Sequence, residues 1–427
     1  MASRESRFGL YVDGLIAAAG HADRAGPLRA YCTGLLLPGE RKSVEPMAAR
    51  IAPRRAGATH QAMHHFVANA EWSDATMLAA VRAWVLPKLT KSGPIEAWIV
   101  DDTGFPKKGT HSVGVARQYC GQLGKPDNCQ VAVSLSVATA AASLPIAFQL
   151  YLPEDWAADP VRRRKAGVPE DIGFSTKPII ALMQIEEALA AGVPAGVVVA
   201  DAGYGVDTRF RDVLRVLKLD YVVGIQGATT VREADYEPLP PKPYSGRGQP
   251  SRRLREPPGE KPIAVSDLAL TLPDSAWRKV TWREGTKKTL ASRFAAVRIR
   301  AAHRDTQRQT LRAQEWLLIE WPKGESEPTK YFFSSLSADT PIKRLVHLAK
   351  LRWRIERDYQ DLKQEVGLGH YEGRGWRGFH HHATLAIAAY GFLVSERSPI
   401  PPSARRWTIT TPRIPKSFIA RGSPAQA

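Results

Sequence analysis

The chain opens with apolar residues at helical spacing. LRAYCTGLLL, EPMAARIA, HQAMHHFVANA and ATMLAAVRAWVL place them three and four apart, and Pro or Gly separates the runs. This predicts short packed helices over residues 1–92. Two of them, around PRRAGAT (Pro53 to Thr59), read either as a helix-turn-helix or as plain helical packing.

The period then changes. EAWIVD (Glu96 to Asp101), QVAVSLSVA (Gln130 to Ala138) and LPIAFQLYL (Leu144 to Leu152) read as strands with short or Gly-rich connections, an antiparallel meander. KPIIALMQIEEALAAG reads as a helix closed by Gly192 and Pro194. GVVVAD (Gly196 to Asp201) is uniformly apolar, as a central parallel strand should be. A helix over about residues 207–218 and the strand YVVGI (Tyr221 to Ile225) follow. The order β-β-β-α-β-α-β predicts an α/β fold of RNase H-like type, a mixed sheet with helices on its faces.

That fold needs one more long helix, and it is delayed. Tyr236 to Pro262 is rich in Pro, Gly and Arg and reads as a loop or mobile arm. WRKVTW, SRFAAVRIRAA, EWLLIEW and KYFFSSL then read as strands, so residues 229–339 form a β-rich insertion. TPIKRLVHLAKLRWRIERDYQDLKQEVG supplies the missing helix, with Thr340 as N-cap, Pro341 at the first helical position and an end near Gly367. ATLAIAAYGFLV (Ala383 to Val394) reads as a buried helix, too short to span a bilayer. The expected domains are a helical domain (1–92), DNA-binding on its helix-turn-helix reading, an RNase H-like core in two pieces (93–228 and 340–395) around the insertion (229–339), and a basic Pro-rich tail (396–427).

Composition adds a partner. The chain has 427 residues, too many for one core, and a formal net charge of +18. Such an excess of Lys and Arg points to a polyanion, because neutralising phosphates drives nucleic-acid binding. Cys32, Cys120 and Cys129 form no CxxC pair, which argues against a disulfide framework or zinc finger and for a reducing compartment. Cys120 and Cys129 read as small buried residues. The first residues carry no long apolar run, and a cytoplasmic protein without a membrane partner is expected.

The candidate chemistry is acidic. Asp101 ends the first strand and Asp201 the fourth, and in an RNase H-like sheet those strands are neighbours. Glu356 on the late helix offers a third carboxylate, and three carboxylates suit hard divalent cations such as Mg²⁺ or Mn²⁺. Two such ions about 4 Å apart activate an attacking oxygen and stabilise the leaving oxygen of a phosphodiester. At about 100° per residue, Arg352, Glu356 and Lys363 fall within roughly 40° of one helical stripe, an acid flanked by bases; ordinary surface ion pairs give the same pattern. Lys107 and Lys108, after Asp101 and Asp102, read either as phosphate contacts or as a solvated turn. Arg162, Arg163, Arg164 and Lys165 leave the same choice between phosphate binding and a solvated loop. His380, His381 and His382 face different sides of a helix and read as a helix start at the surface rather than a metal cluster. Asp358, Asp361 and Glu365 read as reserve acids on a solvated face, and Trp156 as a core or lid residue rather than a base-stacking one.

Four stretches together resemble a known family: DDTGFPKKGTHSVGVARQYCGQLGKPDNCQVAVSLS (Asp101 to Ser136), LYLPEDWAADPVRRRKAGVPED (Leu150 to Asp171), VVVADAGYG and the glutamate helix. Over roughly residues 25–395 the chain resembles the DDE insertion-sequence transposases, specifically their insertion sequence 701 branch. The family's D-x-T motif matches Asp101-Asp102-Thr103, which makes Asp101 the first catalytic acid and Asp102 the reserve; the second acid matches Asp201. The glutamate signature (Tyr, two residues, Arg, three, Glu, six, Lys) fits Arg352, Glu356 and Lys363, with Ala349 at the tyrosine position. The resemblance implies a bacterial enzyme, nucleoid-associated when bound to DNA. It would use two Mg²⁺ or Mn²⁺ ions per active site and act as a homodimer on double-stranded DNA. It would cut its element's terminal inverted repeats, by a hairpin or hydrolytic route, and join them to target DNA. Two other readings are a catalytically inactive transposase remnant that only binds DNA, and a structure-specific nuclease of the same fold.

Overall fold

The computed structural model describes residues 3–91, 93–284, 289–303 and 309–397. The expected tail lies outside the described residues from 398 onward. The described chain gathers into two compact units, one from the stretches up to 96, 101–194 and 354 onward, the other from 97–100 and 195–353. Strand β1 (Ala97–Pro106) contributes to both.

The first unit begins with helices Arg4–Ala19, Ala25–Leu36, Val44–Ile51, Ala56–Ala68 and Asp74–Thr90, the last four over the stretches where the helical period puts them. Side-chain caps start two of them: Ser3 Oγ accepts from Ser6 N and Ser73 Oγ from Thr76 N, each at 3.1 Å. Helices Val44–Ile51 and Ala56–Ala68 flank a 3₁₀ turn at Pro53–Arg55. The last helix, Trp376–Arg397, is buried from His381 through Ser395, so the apolar run Ala383 to Val394 is a core helix.

Strands β2 (Ala116–Cys120), β3 (Lys125–Ala138) and β4 (Ser143–Leu150) form an antiparallel meander, β3 pairing with both neighbours. Lys107 N donates to Asn128 O at 2.9 Å just past the end of β1. Both β1 and β3 are longer than their apolar runs predict. β3 starts five residues early, at Lys125, because its polar first residues hairpin with β2 across a turn in which Leu123 N and Gly124 N both donate to Cys120 O at 2.9 Å. Gly124 takes a φ of 64° there, a conformation glycine adopts without strain.

In the second unit the opening of β1 pairs parallel with β5 (Val197–Ala200), Ile99 opposite Val199. β5 pairs parallel with β6 (Tyr221–Ile225), and helix Thr208–Val216 lies between them in sequence. The remaining strands are β7 (Thr230–Glu233), β8 (Ile263–Ala264), β9 (Arg278–Glu284), β10 (Thr289–Ala301), β11 (Gln314–Trp321) and β12 (Lys330–Ser334). β6 pairs with β12, β12 with β11 and β11 with β10, all antiparallel; β10 also pairs with β9 and with β7. The β-rich stretch therefore continues the sheet of β5 and β6 and covers an edge that would otherwise expose unpaired backbone groups. The fold is α/β with a mixed sheet, as the element order predicts. The Pro-rich stretch is a loop, crossed by one backbone bridge between Leu239 and Arg255.

Several expectations need correction. The single long late helix is two helices, Ile342–Leu351 and Trp353–Gln364, each serving its own core. The first buries Leu345, Val346 and Leu348 with Val222, Phe294 and Leu318; the second buries Ile355, Tyr359 and Leu362 in the other unit. Pro341 occupies the cap position and Ile342 begins the helix, so neither Thr340 nor Pro341 plays its expected part. His381 and His382 are buried, not surface residues: His382 Nε2 donates to Gly367 O, and a neutral His381 donates to one of the two carbonyls it faces, Val67 O or Trp72 O. Asp358 and Asp361 are also buried; Asp358 accepts a hydrogen bond from Tyr390 Oη at 2.8 Å, and Arg357 pairs with Asp361 at 3.2 Å. Among the described residues no helix is long and apolar enough to cross a membrane.

Candidate active site

Asp101 lies in the middle of β1 rather than at the strand's end, because β1 runs on to Pro106, and it is set by local backbone chemistry. Asp101 is buried at 7% exposure, and its Oδ1 accepts from the Asp102 amide at 2.9 Å. Asp102 points the other way, half-buried, and its Oδ2 lies 2.9 Å from Lys177 Nζ. The opposite burial of the two acids is what the strand's alternation predicts.

The glutamate helix lies in the same unit as these acids. Glu356 is exposed in its first turn. Tyr359, one turn further on, is buried; its hydroxyl lies 2.8 Å from Ser134 Oγ of β3. Burial pushes the Tyr359 phenol well above its ordinary range, and the Asp101 carboxylate pushes it further. The phenol is thus a fixed neutral group beside Asp101. Sequence reading missed it; its only signal is the i, i+3 spacing from Glu356.

Lys363 leaves the helix toward β1. Its Nζ donates to Gly104 O at 2.6 Å and to Gln122 Oε1 at 3.2 Å, and it sits 4.7 Å above the Phe105 ring. Burial pulls its ammonium down to about 8. Lys107 is similarly engaged, donating to Tyr371 O at 3.1 Å, and burial lowers its ammonium too. Lys108 is exposed. In the basic run, the Arg162 guanidinium covers the buried Trp156 ring at 3.9 Å, and Arg163 donates to the carbonyls of Ala157, Pro169 and Glu170. Arg164 and Lys165 are the members that face solvent. Trp156 donates its indole N–H to Val115 O at 2.8 Å, a core role. Cys120 and Cys129 are buried together with Val131.

In the second unit, Asp201 directly follows β5 and caps the turn Ala202–Gly205, its Oδ1 accepting from Gly203 N at 2.8 Å. The glycines of this turn are dictated by packing. A Cβ on Gly224 of β6 would stand 2.9 Å from Ala202 N and 3.1 Å from Asp201 C, and one on Gly205 would collide with Gly224 O. Asp201 is therefore held against the end of β6 by contacts that only glycine allows. Arg352 belongs to this unit, at the C-terminal end of helix Ile342–Leu351. Among the described residues no three His, Cys, Asp or Glu side chains stand close enough to hold a metal ion.

A sequence model of the DDE superfamily endonucleases matches residues 14–289, well over half of the chain and including both aspartate strands. The chain belongs to that family. It is 35% identical over 167 residues to a protein of Microchaete diplosiphon described as a probable transposase for insertion sequence element IS701. The match covers 39% of this chain and 40% of that relative.

Proposed function

We propose that this DDE-family endonuclease is an insertion-sequence transposase, with Asp101, Asp201 and Glu356 as its catalytic carboxylates. One observation carries the assignment of the aspartates: Ile99 pairs with Val199 between the parallel strands β1 and β5, and each is followed two residues later by an aspartate. Asp102 is committed to Lys177, which favours Asp101 as the first acid. The net charge of +18 and the described relative favour DNA as the substrate; the family resemblance adds the element's terminal repeats and the target as its two forms and a homodimer as the working species.

The donor set fits a hard divalent cation, since all three candidates are carboxylates. Mg²⁺ or Mn²⁺ bound there, two per site, would supply Lewis-acid stabilisation for phosphodiester cleavage. The chain's own contribution is orientation. The amide of Asp102 fixes Asp101, the amide of Gly203 fixes Asp201, and Lys363 ties the glutamate helix to the backbone of β1.

The test is cleavage and joining of labelled DNA carrying the ends of the element that encodes the chain. Wild type is compared with Asp201→Ala and Glu356→Ala, with Mg²⁺ or Mn²⁺. Variants that bind DNA but neither cut nor join support the reading. A wild type that binds the ends and never cuts with either metal overturns it in favour of a binding-only remnant. Cutting without joining, and without preference for the ends, identifies a structure-specific nuclease instead.

A further inference from the structure

The second unit holds a cavity of about 550 Å³ between the Pro-rich loop and the strands β7 and β10. Its lining is strongly basic: Arg232, Lys242, Arg253, Arg255, Arg300 and Arg312. Two carboxylates answer these six cations, Glu256 through Arg232 and Asp212 through Arg312, which leaves an excess of four positive charges. None of the lining residues belongs to the carboxylate set proposed above, to the glutamate helix or to the basic residues singled out from the sequence.

The cations divide into two kinds. Four are fixed by the protein. Arg232 donates to Glu260 O at 3.0 Å, Arg255 to Pro240 O at 2.8 Å, Arg300 to Ala234 O at 2.9 Å, and Arg312 to Asp212 Oδ1 at 2.8 Å. They set a positive field without reaching outward. Lys242 and Arg253, both exposed on the loop, have no side-chain hydrogen bond or ion pair among the described residues. Like charges held together around a cavity repel one another, and an anion from outside relieves that cost. The bridge between Leu239 and Arg255 holds the loop closed as a hairpin-like flap, so the two outward cations stand on an ordered support.

We infer that this cavity is a phosphate-binding site for the DNA backbone, with Lys242 and Arg253 as the groups that reach the phosphates. The inference rests on DNA being the substrate and adds a contact remote in sequence from the cutting residues. A charged loop of this kind adds affinity without reading sequence, because phosphates carry no base information.

The experiment measures binding of a labelled DNA duplex of arbitrary sequence across a salt series, for the wild type and for Lys242→Ala/Arg253→Ala. Both positions are exposed, and a matching thermal melt confirms that the variant folds. Loss of two phosphate contacts is expected to lower the magnitude of the log–log salt slope by about 1.8 and to weaken binding most at low salt. An unchanged slope and affinity overturn the inference. Competition with ATP and inorganic pyrophosphate separates the sources of phosphate. Displacement of DNA only at millimolar levels supports a backbone site. Tight nucleotide binding that the double variant abolishes while its DNA binding is intact overturns it in favour of a free-nucleotide site. Cleavage enters none of these readouts, so failure here leaves the carboxylate assignment to its own test.

Discussion

Lys177 Nζ stands 2.9 Å from Asp102 Oδ2, with both side chains about 30% exposed. This ion pair separates two adjacent acids that the family motif ranks as first choice and reserve. Asp102 has a partner supplied by the protein, whereas Asp101 is oriented by a backbone amide. Asp102→Asn is expected to cost about 1 kcal/mol of stability, the worth of a partly exposed pair, and to leave metal-dependent cleavage within a few-fold of wild type. Asp101→Asn should reduce cleavage by roughly a thousandfold, since a metal-bound carboxylate contributes several kcal/mol to transition-state stabilisation. Equal losses from the two variants would show that the pair does not distinguish the acids.

Tyr359 and Ser134 are both buried and meet at 2.8 Å. Tyr359→Phe strands the serine hydroxyl in the core, which is expected to cost about 1–3 kcal/mol. Pairing it with Ser134→Ala removes both polar groups, and the double variant should be less destabilised than the sum of the singles. Thermal or urea melts of the four proteins check this, and strict additivity would mean that the two hydroxyls do not depend on each other.

Gly224 supports the Asp201 turn by having no side chain. Gly224→Ala is expected to destabilise by about 1–3 kcal/mol, because its methyl group would press on the backbone of Asp201 and Ala202. Cleavage should fall further than the loss of stability accounts for, since the acid itself is displaced. Activity per folded molecule, measured well below the melting temperature, separates the two effects.

His382 is neutral in the core. Its Nε2 lies 3.0 Å from Gly367 O and its Nδ1 2.8 Å from Tyr31 Oη, an arrangement met by an Nε2–H tautomer with the tyrosine donating to Nδ1. Burial pulls its pKa down to about 4. The unfolded chain takes up this proton near the ordinary value of about 6.5, so the unfolded state binds more protons between those two values. The contribution of His382 to stability is therefore complete above about pH 6.5 and declines as pH falls toward about 4. An NMR titration should show the ring uncharged down to about pH 4, with the proton on Nε2. Protonation near pH 6.5 would refute the buried, neutral assignment.

Much of this protein is determined by the sequence alone. Period and composition suffice for four of the early helices, for β3 and β4, and for the β-α-β run ending in Asp201, because each burial pattern is local in the chain; β2 is not among the strands they predict. The position of Asp201 directly after a parallel strand is visible for the same reason, whereas Asp101, read as a strand end, lies inside β1. Tertiary structure decided what depends on partners distant in sequence. It split the late helix at Arg352, because its two halves bury their apolar faces in different cores. It turned His381, His382, Asp358 and Asp361 from surface residues into buried ones, and the first three meet partners distant in the chain, among them Val67, Gly367 and Tyr390. It directed Lys363 and Lys107 to backbone carbonyls, and it gathered six cations from β7, β10, the Pro-rich segment and the residues before β11 into one cavity. A residue's type and spacing determine which interactions are open to it; only the packed fold supplies the partner that selects one.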